Sequence, residues 1–399
     1  MQEKRKVIFV LVDGMGSLPV KGRKTEWELT PTPNLDKLMQ NGVYGLMHPI
    51  GRGITPGSDT SQLNILGYPP EKYYPGRGPL EALGIGMELR EGDVAFRANF
   101  ATVDRNMRII DRRAGRISTQ EAHALGREIS SLKIDGFEFL FRPSVEHRGA
   151  VVVRGARKMH IENLDTDPHA TGVAIRRVEE KDGLSKAINK YTRVVHGILS
   201  RSNINKGRKM PANCLLLRGA GTYRKVEPFE KRFGMKACCI AGAALYKGIA
   251  RYLGMHTCIV NGATGTYDTN LEAKARAALN HLPEYDFIYL HIKAMDNAGH
   301  DGDVKKRIEM IKRIDKMLGM IRKEDAVIIV TGDHSTPPTK REHSHEPVPV
   351  LISNVEARDY GKKKFCEVNC RAGELCEING SELMGLILAY SGRTEKYGE

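Results

Sequence analysis

Asp296 and His300 stand four positions apart, Asp333 and His334 are adjacent, and His343 follows within the same stretch of chain. Asp13 stands far upstream, at the end of the apolar run 7–12. Three carboxylates and three imidazoles are donors for divalent cations, and a mixed nitrogen and oxygen set suits Mn²⁺, Zn²⁺ or a similar metal. Any one of these histidines alone is more often a surface or packing residue; the set points to a centre for two ions. His345, two residues beyond His343, reads as a bystander.

Ser58 lies in TPGSDTSQLNILGY (55–68), where Pro56 and Gly57 set a tight turn and a helix is expected to begin near Asp59. A hydroxyl at a helix amino end meets free backbone N–H groups and the positive end of the helix dipole, which favours a phosphate there. Alone it would be an N-cap. Beside two metal ions its pKa falls, and it becomes an alkoxide nucleophile. Ser61, in the same turn, is expected to point elsewhere.

These residues need elements to carry them. The runs 7–12, 214–217, 287–292 and 326–330 are continuous and apolar, as strands of a sheet covered on both faces are. Helical spacing marks 33–41, 238–252, 270–281 and 303–322. Strand and helix alternate, so an α/β core is expected, with helices on both faces of its sheet. Asp13, Asp296 and Asp333 each follow a strand, which places them on the rim at the carboxyl ends. From about 73 to about 209 arginine becomes frequent and the strands look short, and 201–209 (RSNINKGRK) reads as a linker. An inserted α/β domain over 73–209 follows, in a core assembled from 1–72 and 210–399.

The 399 residues are 41% hydrophobic, 28% charged and 6% aromatic, a globular composition. Lys and Arg number 62 against 48 Asp and Glu, so the net charge of +14 favours an anionic partner. One tryptophan, scattered basic residues and no zinc-finger or RNP-like pattern argue against a nucleic acid. No run approaches the roughly 20 apolar residues of a membrane helix. The start MQEKRKVIFVLV reads as a first strand rather than a signal peptide, and a cytoplasmic setting is expected. The seven cysteines are expected to be reduced; the spacing of Cys366, Cys370 and Cys376 is poor for zinc and suits packing.

At this point a resemblance becomes specific. The chain carries VDGMG (12–16), TPNLDKL (32–38), GSDTSQLNILGY (57–68), GRGPLEALG (76–84), FRANFATV (96–103), DRRAGRIS (111–118), DTDPH (165–169), LLRGAGTY (216–223), DNAGHDGD (296–303), TGDHSTP (331–337) and HSHEPVPVLI (343–352). In this order and over nearly the whole chain, these blocks resemble the archaeal-type cofactor-independent phosphoglycerate mutases of the alkaline phosphatase superfamily.

The resemblance implies an alkaline-phosphatase-like core with an inserted phosphotransferase domain and the substrate between the two. It implies one ion held by Asp296, His300 and His343, and a second held by Asp13, Ser58, Asp333 and His334. Mn²⁺ is expected first, with Zn²⁺, Co²⁺ or Mg²⁺ as alternatives, and no 2,3-bisphosphoglycerate is needed. Ser58 would take the phosphoryl group from 3-phosphoglycerate or 2-phosphoglycerate, and the other hydroxyl of the turned glycerate would take it back. Asp111 is the candidate proton acceptor; Arg97, Asn99, Arg112, Arg113, Arg116, Asp167 and His169 are candidates for holding the substrate. Arg218, placed after a core strand, and Lys236 in GMKACC match family positions near the phosphate, Lys236 with a catalytic role as well. The rival on the same metals is a phosphatase or phosphodiesterase. DRRAGRIS and GRGPLEALG favour the mutase, because a hydrolase needs no second hold on glycerate.

Overall fold

The computed structural model describes residues 3–359, 361, 363–394, 396 and 398. The chain divides into two compact units, Met1–Tyr74 with Glu227–Glu399, and Pro75–Val226. The second unit therefore runs past 209, the end expected from the polar tract.

The first unit is built on an eight-stranded sheet in the order His256–Thr257, Ala237–Ile240, Phe287–Ile292, Lys6–Val12, Ala326–Thr331, Val348–Ser353, Gly42–His48 and Cys376–Asn379. Val348–Ser353 is antiparallel to both neighbours, and every other pairing is parallel. Central strands covered on both faces need no polar alternation, and Val7 to Val12 and Ala326 to Thr331 are buried throughout. Ile8, Val10, Val12, Ile288 and Leu290 point to one face, where they pack with the helices Pro33–Gln40, Leu271–His281 and Val304–Ile321. Each such fully buried side chain contributes roughly 1.5–3 kcal/mol. On the other face Phe9 meets Phe287 and Tyr289, with ring centroids 5.7 and 5.9 Å away. The alternation that sends Phe9 to this face sends Asp13 there as well. There the hydroxyl of Tyr289 donates to Gln62 of the helix Ser58–Ile65.

Two long helices begin where their caps dictate. Asn270 accepts from the backbone N–H of Ala273, and Asp303 from that of Lys306, so Leu271–His281 and Val304–Ile321 each start one residue later than the spacing predicts.

Four expectations are corrected. Residues 238–252 are not one helix but the strand Ala237–Ile240 followed by the helix Ala244–Tyr252; so short an apolar run fits either period. The run 214–217 belongs to the strand Cys214–Thr222 of the second unit, not to the core sheet. The tract 201–209 is no linker: the buried Asn205 donates to the carbonyls of Leu199 and Ala212, so its polarity satisfies a turn inside the unit. Cys238 and Cys258 are joined by a disulfide. Cys214, Cys239, Cys366 and Cys370 are buried thiols, as expected, whereas Cys376 is exposed.

The second unit is a six-stranded antiparallel sheet centred on Val94–Val103, which pairs with Arg148–Arg154 on one side and Cys214–Thr222 on the other. The helices Thr119–Glu128 and Gly183–Arg201 cover one face. On the other, the helix Arg77–Gly84 lies against the strand so closely that a Cβ on Gly78 would meet the carbonyl oxygen of Ala95 at 2.0 Å. Among the described residues no helix is long and apolar enough to cross a membrane.

Lys274 is one of the charged residues buried in the core of the first unit. It is wholly buried, its ammonium donates to the carbonyl of His291 at 2.8 Å, and burial pulls its pKa down to about 8. A folded-state pKa below the unfolded one means that the unfolded chain holds more protons between the two, so this group's contribution to stability rises as pH increases from about 8 towards 10.5. Lys274→Met removes the charge and keeps the volume. Urea denaturation should show wild type gaining on the variant by about 1 to 3 kcal/mol between pH 8 and pH 10; a constant difference would place the charge in solvent.

Candidate metal centre and active site

The expected donors gather at the carboxyl ends of the parallel strands. Asp13 follows Lys6–Val12, Asp333 and His334 follow Ala326–Thr331, and Asp296 and His300 lie one turn apart on the helix Ala294–Asp301 that follows Phe287–Ile292. His343 comes from the loop before Val348–Ser353, and Ser58 is the first residue of Ser58–Ile65. Gly14 has φ +68°, and a Cβ there would lie 2.8 Å from the Cα of Asp296, so the turn after Asp13 requires glycine.

Ligand atoms of Asp13, Asp333 and His334 all lie within 4.8 Å of one another, and so do those of Asp296, His300 and His343. In the first group, Nε2 of His334 is 3.0 Å from Ser58 Oγ, 3.3 Å from Asp13 Oδ1 and 3.6 Å from Asp333 Oδ1. In the second, Asp296 Oδ1 is 3.3 Å from His300 Nε2 and 3.5 Å from His343 Nε2.

The far sides of the rings show which nitrogen is left to bind. Nδ1 of His300 lies 2.9 Å from the carbonyl of Arg341, and Nδ1 of His343 lies 2.9 Å from the carbonyl of Pro56. A carbonyl only accepts, so both Nδ1 atoms carry protons. The Thr336 hydroxyl donates to Asp296 Oδ1 at 2.8 Å, which leaves its lone pair for Nδ1–H of His334 at 3.0 Å. With Nδ1 committed in all three rings, Nε2 is the nitrogen left to face the carboxylate oxygens, and it is the atom that would coordinate a cation placed among them, with loss of any proton held there. Asp13 Oδ1 is buried with no hydrogen-bond partner. Both observations fit divalent ions held by these residues.

The electrostatics point the same way. Burial would raise the pKa of Asp13, but Lys293, His291 and His334 hold it far below the carboxylate range. Asp296 is likewise held low, its burial outweighed by His300, His343 and Lys293. Asp333, buried beside Asp13, is pushed up to about 6. Burial would lower His334, yet Asp333 and Asp13 push it up to about 9. The pocket favours positive charge at each of these positions.

Several contributors carry no motif of their own. His291 reaches Asp13 Oδ2 at 3.2 Å and stacks on Tyr246, centroids 3.5 Å apart. Lys293 is 2.6 Å from Asp296 Oδ2 and 3.5 Å from Asp13 Oδ2. Gln62 donates to Asp333 Oδ2 at 2.7 Å. For His291 and Lys293 the available signal was their place at the end of a buried strand, just before Asp296.

Ser61 Oγ donates back to the carbonyl of Gly57. Lys236 is a correction: it precedes the strand Ala237–Ile240, on the rim opposite the donors, and pairs with Glu284 at 2.8 Å in an exposed position. Cross-strand pairing places Arg218 beside Arg97 within the second unit rather than after a core strand.

In that unit Arg97 and Arg218 face each other across adjacent strands. Burial, with Arg77, Arg218 and Arg148 close by, lowers Arg97 to about 10 against the opposing pull of Glu81. Arg218 Nε is buried with no hydrogen-bond partner. Arg112 grips the buried carboxylate of Asp167 with two bonds, 2.6 and 3.2 Å, and its guanidinium also approaches the exposed His169. Asp111 Oδ1 accepts from the backbone N–H of Arg113, whereas Arg113 and Arg116 are exposed and Asn99 is buried. Arg77, Arg148 and Glu81 are members of this group that the sequence reading missed.

The Metalloenzyme superfamily profile matches residues 5–390. A 2,3-bisphosphoglycerate-independent phosphoglycerate mutase of Methanocaldococcus jannaschii is 42% identical over 99% of this chain and all of its own length. The Sulfolobus acidocaldarius enzyme of the same name is also 42% identical, over 98% of this chain and 99% of its own. Among solved structures, a Pyrococcus horikoshii protein has a TM-score of 0.87 at 33% identity, covering both chains completely. The cofactor-independent phosphoglycerate mutase of Thermoplasma acidophilum has a TM-score of 0.72 at 32% identity, over 97% of this chain and all of its own. The chain belongs to the Metalloenzyme superfamily and, within it, to the 2,3-bisphosphoglycerate-independent phosphoglycerate mutases.

Proposed function

We propose that the chain interconverts 3-phosphoglycerate and 2-phosphoglycerate through phosphoserine at Ser58, with two divalent ions and without 2,3-bisphosphoglycerate. The reading is carried by Ser58 Oγ at 3.0 Å from His334 Nε2, inside a group of buried carboxylates and imidazoles that could hold divalent ions. Asp13, Ser58, Asp333 and His334 would hold one ion, and Asp296, His300 and His343 the other. Mn²⁺ is the ion proposed for these mixed donors, with Zn²⁺, Co²⁺ or Mg²⁺ as alternatives. Bound there, such ions lower the pKa of the serine hydroxyl and draw charge from the phosphoryl oxygens.

Ser58 Oγ forms the new bond to phosphorus as the bond to the substrate's ester oxygen breaks, and the proton that the Ser58 hydroxyl gives up is the one that the departing oxygen gains. The neighbouring hydroxyl of the glycerate then gives up its proton and accepts the phosphoryl group as the bond to Ser58 Oγ breaks, and return of that proton to Ser58 Oγ regenerates the enzyme. Asp111 is the proposed acceptor of that proton through Oδ2, since Oδ1 is committed to its own turn. Arg97 and Arg218, with Asn99, hold the glycerate carboxylate; a guanidinium fork matches it with two parallel bonds. Arg112 is fixed by Asp167 and, with His169, Arg113 and Arg116, lines the same hold. Lys236 has no part. A small anionic substrate and a cytoplasmic setting complete the reading.

Exhaustive chelation should abolish mutase activity in a coupled assay lacking bisphosphoglycerate, and Mn²⁺ or Co²⁺ should restore it; full turnover without metal would sink the proposal.

Ser58→Ala should fold, keep the ion site at Asp296, His300 and His343, and lose all turnover. Quenched reactions of wild type with phosphate-labelled 3-phosphoglycerate should leave label on the peptide containing Ser58. Label on Ser61 would reassign the nucleophile.

Arg218→Met should cut mutase flux by about tenfold or more, as for a lost charged hydrogen bond, while the share of turnovers that release inorganic phosphate rises. Glycerate would escape, and water would take the phosphoryl group. A proportional fall in both products would mean that Arg218 does not hold the glycerate.

A further inference from the structure

The helix Val304–Ile321 sends one arginine into the core beneath the donors. Arg307 and Glu26 are both wholly buried, with Nε of the one 2.7 Å from Oε1 of the other. The two terminal nitrogens of Arg307 face backbone carbonyls only. One donates to Gly14 at 3.0 Å, Met295 at 3.2 Å and Thr336 at 3.2 Å; the other to Met15 at 3.3 Å and Gly16 at 3.4 Å.

Those five carbonyls belong to three separate segments: the turn after Asp13, the residue before Asp296, and the residue two beyond His334. A single rigid, planar group thus ties together the segments that carry both sets of donors. We infer that Arg307, neutralised by Glu26, is the positioning residue that sets the spacing between the donor sets and so their affinity for divalent ions. The inference rests on the metal-centre reading.

The chemistry of the pair supports this. Neither oxygen of Glu26 has a hydrogen-bond partner, so Arg307 is its counter-charge. Folding alone gains little from such a pair, because hydrophobic residues of similar volume stabilise a core as well or better than a buried ion pair. What apolar replacements would not reproduce is a planar fan of donors that reaches three segments at once. A lysine would keep the charge but present its donors from one point.

The test compares wild type, the double variant Glu26→Leu/Arg307→Met, which removes both charges together, and Arg307→Lys, which keeps both. Each is freed of metal, melted, and titrated calorimetrically with Mn²⁺ alone, and kcat and KM for 3-phosphoglycerate are then measured. Metal-free, the double variant should melt cooperatively within a few degrees of wild type. Both variants should bind Mn²⁺ about tenfold to a hundredfold more weakly, the range expected when support behind metal ligands is lost, and kcat should fall with KM little changed. A folded variant with wild-type Mn²⁺ affinity overturns the inference and leaves the metal centre standing. Two variants that both fail to fold overturn it as well, since Arg307 would then serve the fold. A wild type that takes up no Mn²⁺ removes the metal-centre reading and this inference with it.

Discussion

Asp13, Asp296 and Asp333 are buried side by side, and anions so placed are stable only where positive charge reaches them. The rest of the first unit is arranged around that requirement. Parallel strands deliver the carboxylates to one rim, Lys293 supplies one fixed positive charge, and His300, His334 and His343 turn Nε2 to the remaining oxygens. Gly14 permits the close approach of the Asp13 turn to Asp296, and Arg307 ties the same segments from below. Ser58 enters this field at the start of a helix whose next turn, through Gln62, also bonds Asp333.

The two units divide the chemistry. The candidate metal donors and Ser58, the proposed nucleophile, all belong to the first, at the ends of its sheet strands and on the helices and loops that follow them. The second is an antiparallel sheet whose central strand carries Arg97 among other arginines, with Glu81 as the acid paired to it. On the proposed reading, a metal centre that would accept a phosphoryl group and a group of arginines that would hold a carboxylate are the two recognition elements that a phosphoglycerate mutase needs. A hydrolase would need only the first.

Much of the donor set was legible in the sequence because its chemistry is written in residue type. Asp296 and His300 share a helix face by spacing alone, and Asp13 and Asp333 follow runs so apolar that only buried central strands explain them. What escaped was set by tertiary pairing. The run 214–217 is as apolar as a core strand, and only the antiparallel pairing of Cys214–Thr222 with Val94–Val103 assigns it to the other unit. Lys236 sits two residues before a buried cysteine pair, but strand direction sends it to the opposite rim. Arg307 looks like one more basic residue on an amphipathic helix; its burial follows from which face of Val304–Ile321 meets the turn after Asp13. The tract 201–209 was misread because polar composition marks both a solvated linker and a turn whose asparagine satisfies backbone groups.

The claim on which the account turns is that these side chains hold ions, and anomalous X-ray diffraction from crystals grown with Mn²⁺ tests it most directly. Two anomalous peaks are expected, one among Asp13, Ser58, Asp333 and His334, the other among Asp296, His300 and His343, with Nε2 of each histidine as the coordinating atom. Manganese bound only elsewhere, or these donors without a peak between them at saturating Mn²⁺, would contradict it.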